Sequence, residues 1–165
     1  MQHVVLVVHD VRSAHNVGSI LRSADGFGVE AVYLTGYSPY PVGPNDKRLP
    51  YVAKRAGQQI AKTALGAEKT LHWLHETDIS KLVVKLKKAG FLVVALEQTD
   101  KSVNLANFKT DKDVALIVGS EIGGIKLRIL KAADVCVEIP MSGKKESLNV
   151  SVAAAIALYH LRYFA

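Results

Sequence analysis

Short apolar runs alternate with amphipathic stretches along nearly the whole chain. His3 to His9, Ala31 to Thr35, Phe91 to Leu96, Val114 to Val118 and Val135 to Ile139 are continuous blocks rich in valine, leucine and isoleucine. They are too short for helices and are apolar at nearly every position rather than every second one, which predicts strands covered on both faces. Between the blocks the period lengthens to that of a helix. Ile79, Leu82, Val83 and Leu86 fall on one face of Asp78 to Ala89, with Asp78 placed to cap the start and Gly90 to end it. The stretch from Asp10 begins as a loop, becomes helical near Gly18, turns Ile20, Leu21 and Ala24 inward and stops at Gly28. Ala53 to Ile60 and a short piece from Lys126 to Ala132 also read as helical. A closing helix of small and apolar residues is opened by Ser147, Leu148 and Asn149.

Strand, helix and strand in succession predict parallel βαβ units, hence an α/β fold with a mostly parallel sheet flanked by helices. In such sheets ligands gather outside the carboxyl ends of the strands. Those ends carry Asn16, the loop from Glu97, Glu121, and Ser147 to Asn149. Two long connections stand out. Gly36 to Pro50 holds Pro39, Pro41, Pro44 and Pro50 and excludes regular structure; a loop of that length in a small domain is usually functional. Glu97 to Lys112 is polar and irregular, anchored by Val103, Leu105 and Phe108. No repeat, low-complexity tract or second domain interrupts the pattern, so one domain over residues 1–165 is expected.

Composition narrows the function classes. With 165 residues and 49% apolar content, the chain can bury one full core. Cys136 is the sole cysteine, set in an apolar run, which excludes an intrachain disulfide and makes it an expected core residue. His72 and His75 could share a helical face, but no cysteine or acidic partner completes a set, so no metal is expected. No apolar run reaches the ~18 residues of a membrane span, and the N-terminal run lacks the layout of a signal peptide, which points to a cytoplasmic protein. The net charge of +6 becomes informative through its clustering. Lys47, Arg48, Lys54, Arg55, Lys62 and Lys69 face only Glu68 in the same segment, a candidate polyanion surface; Lys81, Lys85, Lys87 and Lys88 read as a solvated helix face.

The candidate chemistry lies in the loops. Gly119 to Gly124 joins a strand to a helix and lets backbone approach a ligand, yet it matches neither a Walker A loop nor a dinucleotide-binding glycine pattern. Glu121 within it is poor company for phosphates and favours a neutral or cationic ligand, or else is a solvated turn residue. Arg22 is either a phosphate clamp or a surface arginine. Ser147 and Asn149 read either as a helix cap or as ligand-facing groups at a helix N-terminus.

Taken together, these segments resemble a known family. Asn16, Gly18 and Arg22, then Gly119, Glu121 and Gly124, then Ile139, Pro140 and Met141 leading into Ser147 to Val152, are similar in order and interval to the three motifs of the SpoU/TrmH RNA 2′-O-ribose methyltransferases of the SPOUT superfamily. The likeness spans nearly the whole chain and includes Lys62 to Glu68. It implies S-adenosylmethionine as methyl donor, held in a deep C-terminal trefoil knot, and a homodimer with the site at the subunit interface. It implies three cofactor walls: Leu96 and Glu97; Gly119, Ser120, Glu121 and Gly124; and Ile139, Met141, Ser147, Leu148 and Asn149. Arg22, Asn16, Glu121, Ser147 and Asn149 become the expected catalytic set. Arg22 would clamp the RNA phosphate and stabilise the developing alkoxide, because a guanidinium with a pKa above about 12 is a poor base. Many relatives carry a separate RNA-binding domain, so here RNA, tRNA rather than rRNA, would be captured by Arg22, Lys47, Arg48, Lys54, Arg55, Lys62, Lys144 and Lys145. The competing readings are an rRNA substrate, a non-catalytic RNA-binding or assembly protein that keeps the fold, and a small-molecule α/β enzyme.

Overall fold

The computed structural model describes residues 2–44 and 46–165. Strand β1 (Val4–His9) is buried at every position and lies third from one edge of a sheet that has seven parallel strands among the described residues. The others are β2 (Ala31–Thr35), β3 (Trp73–Glu76), β4 (Leu92–Leu96), β5 (Val103–Asn104), β6 (Val114–Val118) and β7 (Val135–Glu138), in the spatial order β3-β2-β1-β6-β4-β7-β5. Register sets Leu6 beside Val32 on one side and Leu116 on the other.

The continuous apolar runs have the anticipated cause: both faces of the sheet are covered. Leu6, Val8, Val94 and Leu116 point into a core shared with helices α1 (Ala14–Gly26), α2 (Pro50–Ala64) and α6 (Val150–Tyr163). Val5, Val7, Val93 and Ile117 point the other way, against α4 (Ile79–Lys88) and α5 (Leu127–Ala132). The short α3 (Ala67–Thr70) leads into β3. Each fully buried aliphatic side chain contributes roughly 1.5–3 kcal/mol. No helix among the described residues is long and apolar enough to cross a membrane.

Several boundaries differ from the sequence expectation. Helix α1 starts a turn before Gly18, because the Ser13 hydroxyl accepts the Asn16 N–H at 3.2 Å and caps it. Gly18 is then a helix-interior residue whose role is close approach: a Cβ there would overlap Thr63 Oγ1 and the Ile60 carbonyl of α2. Helix α2 is longer than Ala53 to Ile60, with Pro50 suited to its first turn, where no N–H is needed. Strands β3 and β5 form the two edges and were not anticipated. Leu105 and Phe108 are buried anchors, but Val103 is 42% exposed. Cys136 is half-buried rather than core, and burial with the nearby Glu97 carboxylate pushes its thiol pKa up.

Candidate functional site

The carboxyl ends of β4, β6 and β7 and the start of α6 surround a cavity of about 450 Å³. Leu96 and Glu97 form one wall, Gly119, Ser120, Glu121 and Gly124 a second, and Ile139, Met141, Ser147, Leu148 and Asn149 a third. Every residue expected at a cofactor wall therefore lies on this one cavity. Gln98, Val118, Ile122, Glu138, Val150 and Ala153 also line it, and sequence reasoning missed them. Their signal was adjacency: each sits next to or one helical turn beyond a residue already singled out at a strand or helix end.

Gly119 to Gly124 folds into a tight loop closed by paired backbone bonds between Ser120 and Gly124, at 3.0 and 3.3 Å. Glu97 holds its exit. Its Oε2 accepts the Ile125 N–H at 2.8 Å, and Gly124, at φ +57°, presents no side chain where a Cβ would collide with that carboxylate.

Glu121 is the hub of the polar groups. Its carboxylate accepts the N–H of Arg12 at 3.0 Å, the N–H of Ser13 at 3.2 Å and the Asn16 amide at 2.9 Å. Partial burial opposes its ionisation, but these hydrogen bonds outweigh burial and hold its pKa below the ordinary carboxylate value. The Asn16 carbonyl in turn accepts the Asn149 amide at 3.2 Å. Asn149 caps α6, its oxygen accepting the Ser151 N–H at 2.9 Å, so the cap reading holds for Asn149. Ser147 precedes the helix and faces the cavity instead.

Arg22 is not brought in. It is exposed on α1, outside the lining of the cavity. Among the basic candidates, Lys54, Arg55 and Lys62 are exposed on α2, sharing a stripe with Tyr51, Gln58 and Leu65. Lys47 is exposed in the proline loop, and Lys144 and Lys145 border a second cleft beside the cavity. Arg48 is a correction to the expected RNA surface. Its guanidinium is bonded to Asp46, donates to the carbonyls of Tyr40 at 2.9 Å and Pro41 at 3.0 Å, and lies 3.5 Å above the Tyr40 ring, whose other contacts include His75, stacked at 3.9 Å. Its donors are used in holding the proline loop together.

A buried polar group behind the site also escaped the sequence reading. His9, Asp10, Thr35 and Ser38 are each at most 5% exposed at the ends of β1 and β2. His9 Nδ1 meets Thr35 Oγ1 at 2.9 Å, and Asp10 contacts His9 Nε2 and Lys126 Nζ, both at 3.3 Å. No group of acidic, histidine or cysteine side chains among the described residues could hold a metal ion.

A parallel sheet with a cavity at its carboxyl edge, walled by glycine and carboxylate loops, defines an α/β fold with a site of ligand size. The chain belongs to the SpoU rRNA Methylase family, which it matches over residues 3–159. It is 35% identical over 156 residues to the 23S rRNA (guanosine-2′-O-)-methyltransferase RlmB of Nitrosomonas europaea, covering 94% of this chain and 54% of that protein. It is 31% identical to a putative TrmH family tRNA/rRNA methyltransferase of Staphylococcus aureus strain COL, covering 95% of this chain and 57% of that one. The chain thus spans little more than half the length of these curated relatives. Among solved structures, the TrmH/SpoU tRNA modifying enzyme of A. aeolicus superposes with a TM-score of 0.79 at 27% identity, covering 96% of this chain and 73% of that one.

Proposed function

We propose that this protein transfers a methyl group from S-adenosylmethionine to a ribose 2′-hydroxyl of RNA. The observation that carries the reading is the Glu121, Asn16 and Asn149 network, which joins all three family motifs at the lip of one cavity. The cavity suits the donor: Leu96, Val118, Ile139 and Leu148 offer apolar surface to a nucleoside, while Glu97, Glu121 and Glu138 offer negative charge to a sulfonium. When bound, S-adenosylmethionine supplies an electrophilic methyl on sulfur, which becomes a neutral thioether as the ribose oxygen takes the methyl.

The chain's own task is to bring the hydroxyl into line with that carbon and stabilise it as its proton leaves to water or to the RNA phosphate. General acid–base help is typically worth about 10²–10⁴ in rate, and alignment can supply more. Asn16, Asn149 and Ser147 orient the hydroxyl; Glu121 orients Asn16. Arg22 clamps the phosphate and stabilises the alkoxide. It lies outside this chain's cavity, which favours a homodimer in which a second copy delivers it. The exposed stripe Val152, Ile156, Tyr159 and Tyr163 on α6 starts one turn from Asn149 and offers a surface for that copy. In this reading the cofactor loops belong to the C-terminal knot, and the exposed stripe of α2 receives the RNA backbone.

The test is transfer of tritiated methyl from S-adenosylmethionine to unmodified transcripts of tRNA and 23S rRNA, followed by mapping of the labelled ribose. Label resistant to base-specific demethylation and mapped to a 2′-oxygen is the expected result. The relatives' names divide between rRNA and tRNA, and the two transcript pools decide which serves this chain; absence of label in both would overturn the reading.

A further inference from the structure

Tyr37 exposes 53% of its surface while the chain on either side of it is fixed. Before it, Gly36 adopts φ +65°, and a Cβ there would overlap the Asp10 carboxylate. The Tyr37 N–H itself donates to Asp10 Oδ1 at 3.2 Å. After it, Ser38 is 2% exposed; its hydroxyl accepts the Val11 N–H at 3.0 Å and donates to the Val8 carbonyl at 3.1 Å. The ring therefore stands on a buried pedestal and loses little freedom when something packs on it.

Arg12 caps this ring, its guanidinium 5.8 Å from the centroid, within the range of a cation–π contact. The backbone N–H of Arg12 is the one bonded to Glu121 at the cavity lip. Cavity wall, Arg12 and Tyr37 are thus consecutive links of one rigid path, and Arg12 is exposed. Lys126, bonded to Asp10 under the same turn, adds a second cation. A flat aromatic face beside two cations suits a nucleobase and its phosphate better than an apolar protein surface.

Building on the RNA reading above, we propose that Tyr37 and Arg12 form a stacking platform for an unpaired RNA base adjacent to the methylated ribose, with Arg12 reaching that nucleotide's phosphate. Base stacking on an aromatic ring is tolerant of sequence, so the platform positions the strand and does not read it.

The probe is a fluorescein-labelled single-stranded oligoadenylate of about twenty nucleotides, titrated by anisotropy against the intact protein. Tyr37→Ala weakens binding about ten-fold or more, Tyr37→Phe stays within about two-fold of the wild type, and Arg12→Ala lowers the slope of log affinity against log salt by about 0.7. Equal binding by wild type and Tyr37→Ala overturns the inference, as does Tyr37→Phe binding as weakly as Tyr37→Ala, or no binding by the wild type. Methyl transfer to the transcripts separates this from the broader reading. Transfer by the wild type with an unchanged RNA KM in Tyr37→Ala removes the platform alone; no transfer by the wild type removes the methyltransferase reading whatever the oligonucleotide shows.

Discussion

The Asn149 amide donates to the Asn16 carbonyl oxygen at 3.2 Å, across 133 positions of sequence. Asn16 passes the contact on to Glu121, so the first turn of α1, the Gly119 to Gly124 loop and the start of α6 lock one another. Glu121→Ala and Asn16→Ala should each lower single-turnover methyl transfer about 10²-fold, since small misplacements near a reacting centre cost that much. The double variant should be little worse than either one, because both break the same unit. Fully multiplicative losses would show that the two side chains act independently.

Arg22→Ala should lower methyl transfer by about 10³-fold while cofactor affinity, read by calorimetry, stays within about two-fold. If a second copy delivers Arg22, mixing Arg22→Ala with Glu121→Ala subunits regenerates one intact site in each mixed dimer and restores activity that neither variant has alone. Failure of that mixture to recover turnover would confine the site to one chain.

Gly18→Val tests the contact between α1 and α2. Its side chain must displace Thr63 or the Ile60 carbonyl, and overpacking of this kind costs about 1–3 kcal/mol. Tm should fall by about 3–10 °C. An unchanged melting curve would mean that the helices separate without penalty.

Burial, opposed by Asp10 and reinforced by Lys126 and Arg128, holds the pKa of His9 below its ordinary 6.5; burial and Arg48, opposed by the Gly36 contact, Glu76 and Asp46, act in the same direction on His75. The unfolded chain then takes up protons near pH 6.5 that the folded chain refuses. Stability is full above that pH and declines as pH falls below it toward the folded values. His9→Gln and His75→Gln should each flatten the fall of Tm on acidification, and an unaltered slope in both would remove these histidines from the account.

Lys54→Glu with Arg55→Glu should weaken RNA binding and reduce the salt slope by about 1.4 for single strands, whereas Lys81→Glu with Lys85→Glu on α4 should leave both unchanged. Equal effects of the two pairs would point to net charge rather than a surface on α2.

Strands buried on both faces were legible because continuous apolar runs bounded by glycine or polar residues have few other uses. The edges were not. Trp73 to Glu76 is half-buried throughout and shows no alternation, and Val103 and Asn104 form too short a pair to leave a period. The residues that line the cavity were legible through the family motifs, which pick out eleven of them at the strand and helix ends. What the motifs could not convey is which polar atoms meet: Arg48 reads as one more surface cation but is held inside its loop, and Arg22 reads as a neighbour of Asn16 yet does not line the cavity of its own chain. Both depend on three-dimensional neighbours that charge and spacing do not encode. Ser13, by contrast, was readable as a cap, and placing it would have moved Asn16 from the loop into the helix.

The position of β1 between β2 and β6 dictates when the site can exist. Strand β1 precedes its neighbours in the chain and gains β2 early, yet its other edge stays bare until residues 114–118 have left the ribosome. Asn16 waits longer still for Asn149. Until then the sheet keeps an open edge and the cavity lacks its third wall, which arrives only when residues 139–149 close over strands already laid down.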